Sequence, residues 1–81
     1  MSTYNTSLRK TTVARIMRDA GYQRPQVSSD SPGIVYVHVA DRYRKAIIAL
    51  MKSHGLMAKH LITIDNDCTI FVCNADRLGC E

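Results

Sequence analysis

The stretch that decides the fold is Val35-Tyr36-Val37-His38-Val39-Ala40-Asp41-Arg42, which recurs 35 residues later as Ile70-Phe71-Val72-Cys73-Asn74-Ala75-Asp76-Arg77. β-Branched and aromatic side chains occupy matching positions, and the Ala-Asp-Arg triplet is identical. A second match precedes each copy, since Ile16-Met17-Arg18-Asp19-Ala20-Gly21-Tyr22 returns 34 residues later as Leu50-Met51-Lys52-Ser53-His54-Gly55-Leu56. Two matches at nearly one spacing predict an internal duplication.

Each copy predicts a helix that ends at a glycine. The second helix has an apolar stripe at helical spacing: Tyr43, Ile47, Leu50, Met51 and His54. We expect Asp41 to cap this helix, Gly55 to end it and His54 to be half-buried in the core. The first helix repeats the stripe with Val13, Ile16, Met17 and Ala20. Thr11, Thr12 or Ser7 is its expected cap, and Gly21 its end.

Each helix is followed by a predicted β-hairpin. In the first, residues 26–29 form a short strand or a loop, 30–33 a turn and 34–39 a β-branched strand. In the second, strands at 60–64 and 69–74 flank a turn at 65–68. Pro25 before the first of these strands and the two serines within it disfavour strand structure, so the loop stays open as the alternative.

These elements predict an α+β fold class, a duplicated α-β-β unit (αββαββ) with a three- or four-stranded antiparallel sheet and two helices on one face. We expect one small domain over residues 1–81, because a chain this short has no room for separate cofactor and substrate modules. Within it, residues 1–8 are a flexible arm, about 9–40 the first repeat, about 41–77 the second and 78–81 a tail.

The charge of the chain is unevenly distributed around a net value of +4. Residues 1–59 carry ten lysines and arginines against three aspartates, whereas residues 60–81 carry one arginine against four acidic residues. A basic body with an acidic end indicates either a surface for a polyanion or association through opposite patches. A solvated surface without a ligand gives the same pattern.

The outer faces of the helices and their flanks form a candidate phosphate-binding surface, which we call the basic helical surface. Its predicted residues are Arg15, Arg18, Arg24, Arg42, Arg44, Lys45 and Lys52. Arginine suits this task because its forked guanidinium matches phosphate, and neutralising phosphates drives non-specific nucleic-acid binding. Exposed helix faces are also rich in cations without any ligand, so that alternative stays open.

The sheet provides a second candidate surface, on the side that we call the open face. Strand alternation places Val35, Val37 and Val39 toward the helices. It places Tyr36, His38 and Phe71 on the open face, with His60 or Ile62 as a possible addition. An apolar face of this kind needs cover. The candidates are a second copy, unpaired bases stacked on the aromatic rings, or the chain's own ends (Tyr4, Leu8 or Leu78).

The sequence contains no recognisable catalytic or metal-binding pattern. Its three histidines and three cysteines are scattered, Cys68 and Cys73 point to opposite sides of one strand, and Asp65-x-Asp67 lacks the rest of a calcium loop. We therefore predict a non-enzyme with no metal and no cofactor. Reduced thiols, the absence of a long apolar run and an N-terminus without a secretory pattern favour the cytoplasm and exclude a membrane span.

The function that these features predict is a small non-enzymatic accessory or regulatory domain. We expect it to contact nucleic acid or a nucleic-acid-containing complex through the basic helical surface, as a homodimer. The alternative is a protein–protein inhibitor or adaptor, of the kind encoded by phages and mobile elements, that acts through the open face. A homodimer or another protein is thus the expected partner, nucleic acid a candidate one, and no small-molecule substrate is identified.

Overall fold

The two repeated β-branched stretches form the central strands of a four-stranded antiparallel sheet. The computed structural model describes residues 8–31 and 33–74. Its helices are α1 (Lys10–Asp19) and α2 (Arg44–Ser53), with a 3₁₀ turn at Asp41–Tyr43 directly before α2. Its strands are β1 (Gln26–Ser31), β2 (Ile34–Ala40), β3 (Leu56–Ile64) and β4 (Asp67–Asn74), in the order β1-β2-β4-β3. The predicted α+β class and antiparallel sheet are confirmed.

The core lies between the helices and the side of the sheet predicted to face them. Val35 pairs with Val72, and Val37 pairs with Ile70, so these four side chains project to the same side of β2 and β4. All four are completely buried. The same cluster takes in residues of both helices, among them Val13, Met17, Ile47 and Met51. Leu8, just ahead of α1, is also buried in it.

The first predicted strand, for which a loop was the alternative, forms. The second hairpin is longer than expected. β1 pairs with β2 from Gln26 opposite His38 to Ser31 opposite Ile34. β3 begins at Leu56, four residues earlier than predicted, because Ala58 pairs with Val72 and is buried in the core. The β3–β4 turn is also tighter than expected, with Asp65 and Asn66 at positive φ (51° and 71°). This left-handed pair suits Asp and Asn.

The predicted helix caps are wrong, although the glycine ends are right. Thr11 and Thr12 lie inside α1, whose N-cap Arg9 makes no side-chain capping bond. Asp41 lies a 3₁₀ turn ahead of α2 and is not its N-cap. Gly21 and Gly55 follow the two helices at φ 103° and 78°, a conformation that favours glycine. His54 is exposed rather than half-buried, because α2 ends at Ser53.

Several predictions fall on residues that the structure does not describe. They concern the arm before Leu8, the second Ala-Asp-Arg triplet, Cys80 and the tail at 78–81. Within residues 8–31 and 33–74, no helix combines the length and apolar character needed to cross a membrane.

Cys68 places an ionisable thiol in the core. It is nearly inaccessible to solvent and belongs to the cluster beneath the helices. Burial raises the pKa of this thiol above its ordinary value of 9.0, and the charges of Asp41 and Asp67 act in the same direction. The folded protein therefore keeps a proton that the unfolded chain releases above pH 9.0.

We predict that the contribution of Cys68 to stability is complete below pH 9.0 and declines as the pH rises through the raised pKa of the folded state. The decline is at most about 1.4 kcal/mol per pH unit. Urea unfolding of wild type and Cys68→Ala across neutral to alkaline pH measures it, because other titrating groups are common to both proteins. The stability advantage of the wild type should shrink at alkaline pH. A constant difference would contradict the prediction.

Candidate nucleic-acid interface

α1 turns two arginines away from the core. The helix buries Val13, Ile16 and Met17, which leaves Arg15 and Arg18 exposed on its outer side, one turn apart. α2 has the same arrangement. It buries Ile47 and Met51 and leaves Lys45 and Lys52 exposed, two turns apart. The structure therefore places these four predicted cations on the solvent sides of the two helices.

The remaining three cations lie around the helix ends. Arg24 is exposed in the loop between α1 and β1, and Arg42 is exposed in the 3₁₀ turn. Arg44 differs, because it is half-buried and its guanidinium lies 3.3 Å from the Asp41 carboxylate. This pair is partly exposed and contributes little net stability, since solvent screens it. Arg44 therefore has an acidic partner within the protein.

Asp41 ties the 3₁₀ turn to the β3–β4 hairpin. Its backbone N–H donates to the carbonyl of Asn66 at 2.6 Å. Its carboxylate accepts a hydrogen bond from the Thr63 hydroxyl at 3.1 Å. Because that hydroxyl donates to Asp41, it accepts from Nε2–H of His60, 2.7 Å away. His60 pairs with the core residue Ile70, which places it on the helix side of β3 rather than on the open face.

Five cations of the basic helical surface are not paired within the part of the chain that the structure describes. Arg15, Arg18, Arg24, Lys45 and Lys52 form no ion pair with any other described residue. Where solvent counterions surround these cations, a polyanion can displace them. Guanidinium and ammonium groups of this kind can bind phosphates.

Two tyrosines outside the predicted functional sites meet between the helix ends. Tyr22 follows α1 and Tyr43 precedes α2, and their rings pack edge to face with centroids 5.8 Å apart. The Arg42 guanidinium lies 5.1 Å from the centre of the Tyr43 ring. Tyr43 was expected in the apolar stripe of α2, yet it is 38% exposed. The sequence clue was the alternation of tyrosine with arginine in Tyr22-Gln23-Arg24 and Arg42-Tyr43-Arg44.

These rings border a groove of about 560 Å³, which we call the tyrosine groove. It runs from the loop after α1 to the end of β2. Its lining residues are Met17, Tyr22, Gln23, Arg24, Pro25, Gln26, His38, Val39, Ala40, Tyr43 and Asp67. The groove therefore joins two tyrosines and one arginine beside the basic helical surface.

The open face contains the three residues predicted for it. The rings of Tyr36 and Phe71 pack at a steep angle, with centroids 6.1 Å apart, and both side chains are half-buried. His38 is exposed, and its two ring nitrogens lie 3.0 Å from Ser28 Oγ and 3.3 Å from Thr69 Oγ1. These hydrogen bonds link three adjacent strands, so His38 has a structural partner on each side.

β3 extends the apolar part of the open face. Ile62 pairs with Thr69, on the same side of the sheet as His38, and Ile64 follows on that side opposite Asp67. Ile62 and Ile64 are 51% and 60% exposed. Ile62 is thus the residue of the predicted pair, His60 or Ile62, that joins this face. Two isoleucines at an edge strand are typical of a contact surface.

The described residues contain no group of three or more histidine, cysteine, aspartate or glutamate side chains arranged to hold a metal ion. Comparison with known proteins adds no candidate function. No protein-family model matches the chain, and neither curated proteins nor solved structures give a match.

Proposed function

We propose that this protein is a small non-enzymatic accessory or regulatory domain that contacts nucleic acid, or a complex containing it, through the basic helical surface. The observation that carries the proposal is a set of exposed cations on both helices and in the loop between α1 and β1. These cations have no acidic partner among the described residues. Phosphate groups would supply the missing partners and release bound counterions.

The cations do not support the proposal equally. Arg18 and Lys52 lie in the last turns of their helices, where a positive charge also stabilises the helix dipole. Arg15 lies in the middle of α1, and Lys45 lies near the start of α2, so neither position has that explanation. Arg15, Lys45 and the loop residue Arg24 therefore support phosphate binding most strongly.

We also propose that the two α-β-β halves arose by duplication. The offset of 35 residues in the sequence makes Tyr36 equivalent to Phe71, and these two residues pair directly at the centre of the sheet. The same offset makes Val35 equivalent to Ile70 and Val37 equivalent to Val72. The observed pairs, Val35 with Val72 and Val37 with Ile70, therefore stay the same when the two halves are exchanged. A duplication would give each half one helix whose outer side carries cations, which doubles the surface for phosphates.

The open face favours a second function, binding of a protein partner. Exposed Ile62 and Ile64 continue the apolar surface of Tyr36 and Phe71. We propose a second copy of this chain as that partner, because two sheets stacked through such faces form a closed sandwich. The helices then lie on the outside of the dimer, where their cations stay accessible. An inhibitor or adaptor that uses this face for another protein is the alternative.

The first prediction of this proposed function concerns Arg15. We expect Arg15→Glu to weaken binding of an oligonucleotide by about tenfold at low salt, because one phosphate contact is lost and a repulsive charge is added. Fluorescence anisotropy with labelled single and double strands measures the affinity. Circular dichroism checks that the variant is folded, which we expect because Arg15 is exposed.

The matched control is Lys59→Glu. It makes the same change of charge at an exposed residue that pairs with Phe71 and so lies on the open face. Light scattering checks that this variant keeps the mass of the wild type. Its affinity should change much less than that of Arg15→Glu. Equal losses in the two variants would show that only net charge matters, and undiminished binding by Arg15→Glu would exclude this surface.

The second prediction concerns the dimer. Light scattering of the wild type in reductant should give the mass of two chains, and Ile62→Asp should give the mass of one, because it places a charge in the buried interface. Ala46→Asp is the control, since Ala46 is exposed on α2, on the other side of the sheet. This variant should remain a dimer. A monomeric wild type, or a dimer in Ile62→Asp, would rule out this interface.

A further inference from the structure

The tyrosine groove has the size and the composition of a binding site for a small planar group. Its volume of about 560 Å³ is within the range of about 300–1,000 Å³ that ligand sites occupy. Tyr22 and Tyr43 provide ring surfaces, and the buried Met17 and half-buried Val39 provide apolar lining. Aromatic rings beside cations are the combination with which proteins bind unpaired bases.

Charged and titratable residues line the groove in different places. Arg24 lines it, and Arg42 lies against the Tyr43 ring, so positive charge adjoins the tyrosines. Asp67 and His38 are the other titratable lining residues besides the tyrosines, and the register of their strands directs both side chains toward the open face. A phosphate would bind at the arginines.

We propose that the tyrosine groove binds one unpaired nucleotide of a single strand, with its base on Tyr43 and its phosphate on Arg24 or Arg42. This rests on the proposed function, to which it adds a class of ligand. A base in a duplex is stacked on both faces and offers only its edges. A base in a single strand can turn out and stack on a tyrosine. The groove therefore favours single strands over duplexes.

A base can take the place of the Arg42 guanidinium on the Tyr43 ring. Its guanidinium lies against the Tyr43 ring, but the side chain is exposed and forms no ion pair with a described residue. An exposed cation–π contact is weaker than base–aromatic stacking, so a base can replace the guanidinium on the ring. The displaced guanidinium then reaches the phosphate of the same nucleotide. Asp41 holds the turn that carries both residues against the β3–β4 hairpin.

The test compares three labelled ligands by anisotropy at one salt concentration: a twelve-nucleotide deoxyadenosine strand, its duplex and an abasic strand of equal length. The abasic strand keeps the phosphates and lacks the bases. We expect the deoxyadenosine strand to bind at least about fivefold more tightly than the abasic strand. Tyr43→Leu should abolish that preference, whereas Tyr43→Phe should retain it because the ring is kept.

His54→Leu is the control, because it removes an exposed ring that follows α2 and belongs neither to the tyrosine groove nor to the open face. It should leave the preference unchanged. Equal binding of the deoxyadenosine and abasic strands by the wild-type protein would by itself overturn the inference. Loss of the preference in His54→Leu instead of Tyr43→Leu would also overturn it, because the base would then stack outside the tyrosine groove.

The outcomes separate this inference from the proposed function. If all three ligands bind equally and Arg15→Glu weakens each of them, the basic helical surface binds phosphates and the groove does not select a base. If none of the ligands binds to the folded protein at low salt, both proposals are wrong. If free deoxyadenosine monophosphate binds as tightly as the strand, the groove binds a free nucleotide. This result would overturn the proposal that its ligand is part of a single strand.

Discussion

The packing of β2 against β4 beneath the two helices is the contact on which the rest of the structure depends. Val35, Val37, Ile70 and Val72 are completely buried on one side of these strands. Burying each such side chain contributes about 1.5–3 kcal/mol, which a small domain needs because it buries only a modest share of its surface. Both helices of residues 8–31 and 33–74 cover this side of the sheet, so within these ranges the opposite side carries no helix and the helical cations face solvent. Both candidate surfaces are therefore consequences of one core.

Asp41 connects that core to the candidate nucleic-acid interface. Its backbone and carboxylate bind Asn66 and Thr63, so the 3₁₀ turn is fixed to the β3–β4 hairpin at two points. The next two residues, Arg42 and Tyr43, carry the cation and the ring that border the tyrosine groove. The aspartate that was expected to cap a helix thus positions part of the candidate binding surface.

Hydrophobic periodicity predicted the buried side of the sheet, whereas features that depend on contacts between distant residues were missed. The valine alternation in β2 identified the side that packs against the helices, and Gly21 and Gly55 predicted both helix ends. The early start of β3 was not predictable, because it depends on Ala58 meeting Val72. The meeting of Tyr22 and Tyr43 was missed for the same reason, since the two residues lie in different halves of the chain. His54 was placed inside by extending the helical stripe one position beyond the end of α2.

The central claim is that exposed cations on the helices bind the phosphates of a nucleic acid. The most direct measurement is the affinity of the wild type for single- and double-stranded oligonucleotides across about 50–300 mM salt, in reductant. Three or four phosphate contacts predict a steep fall, with a slope of log affinity against log salt of about −2 to −4. Absence of binding by the folded protein at the lowest salt, or an affinity that does not change with salt, would contradict the account.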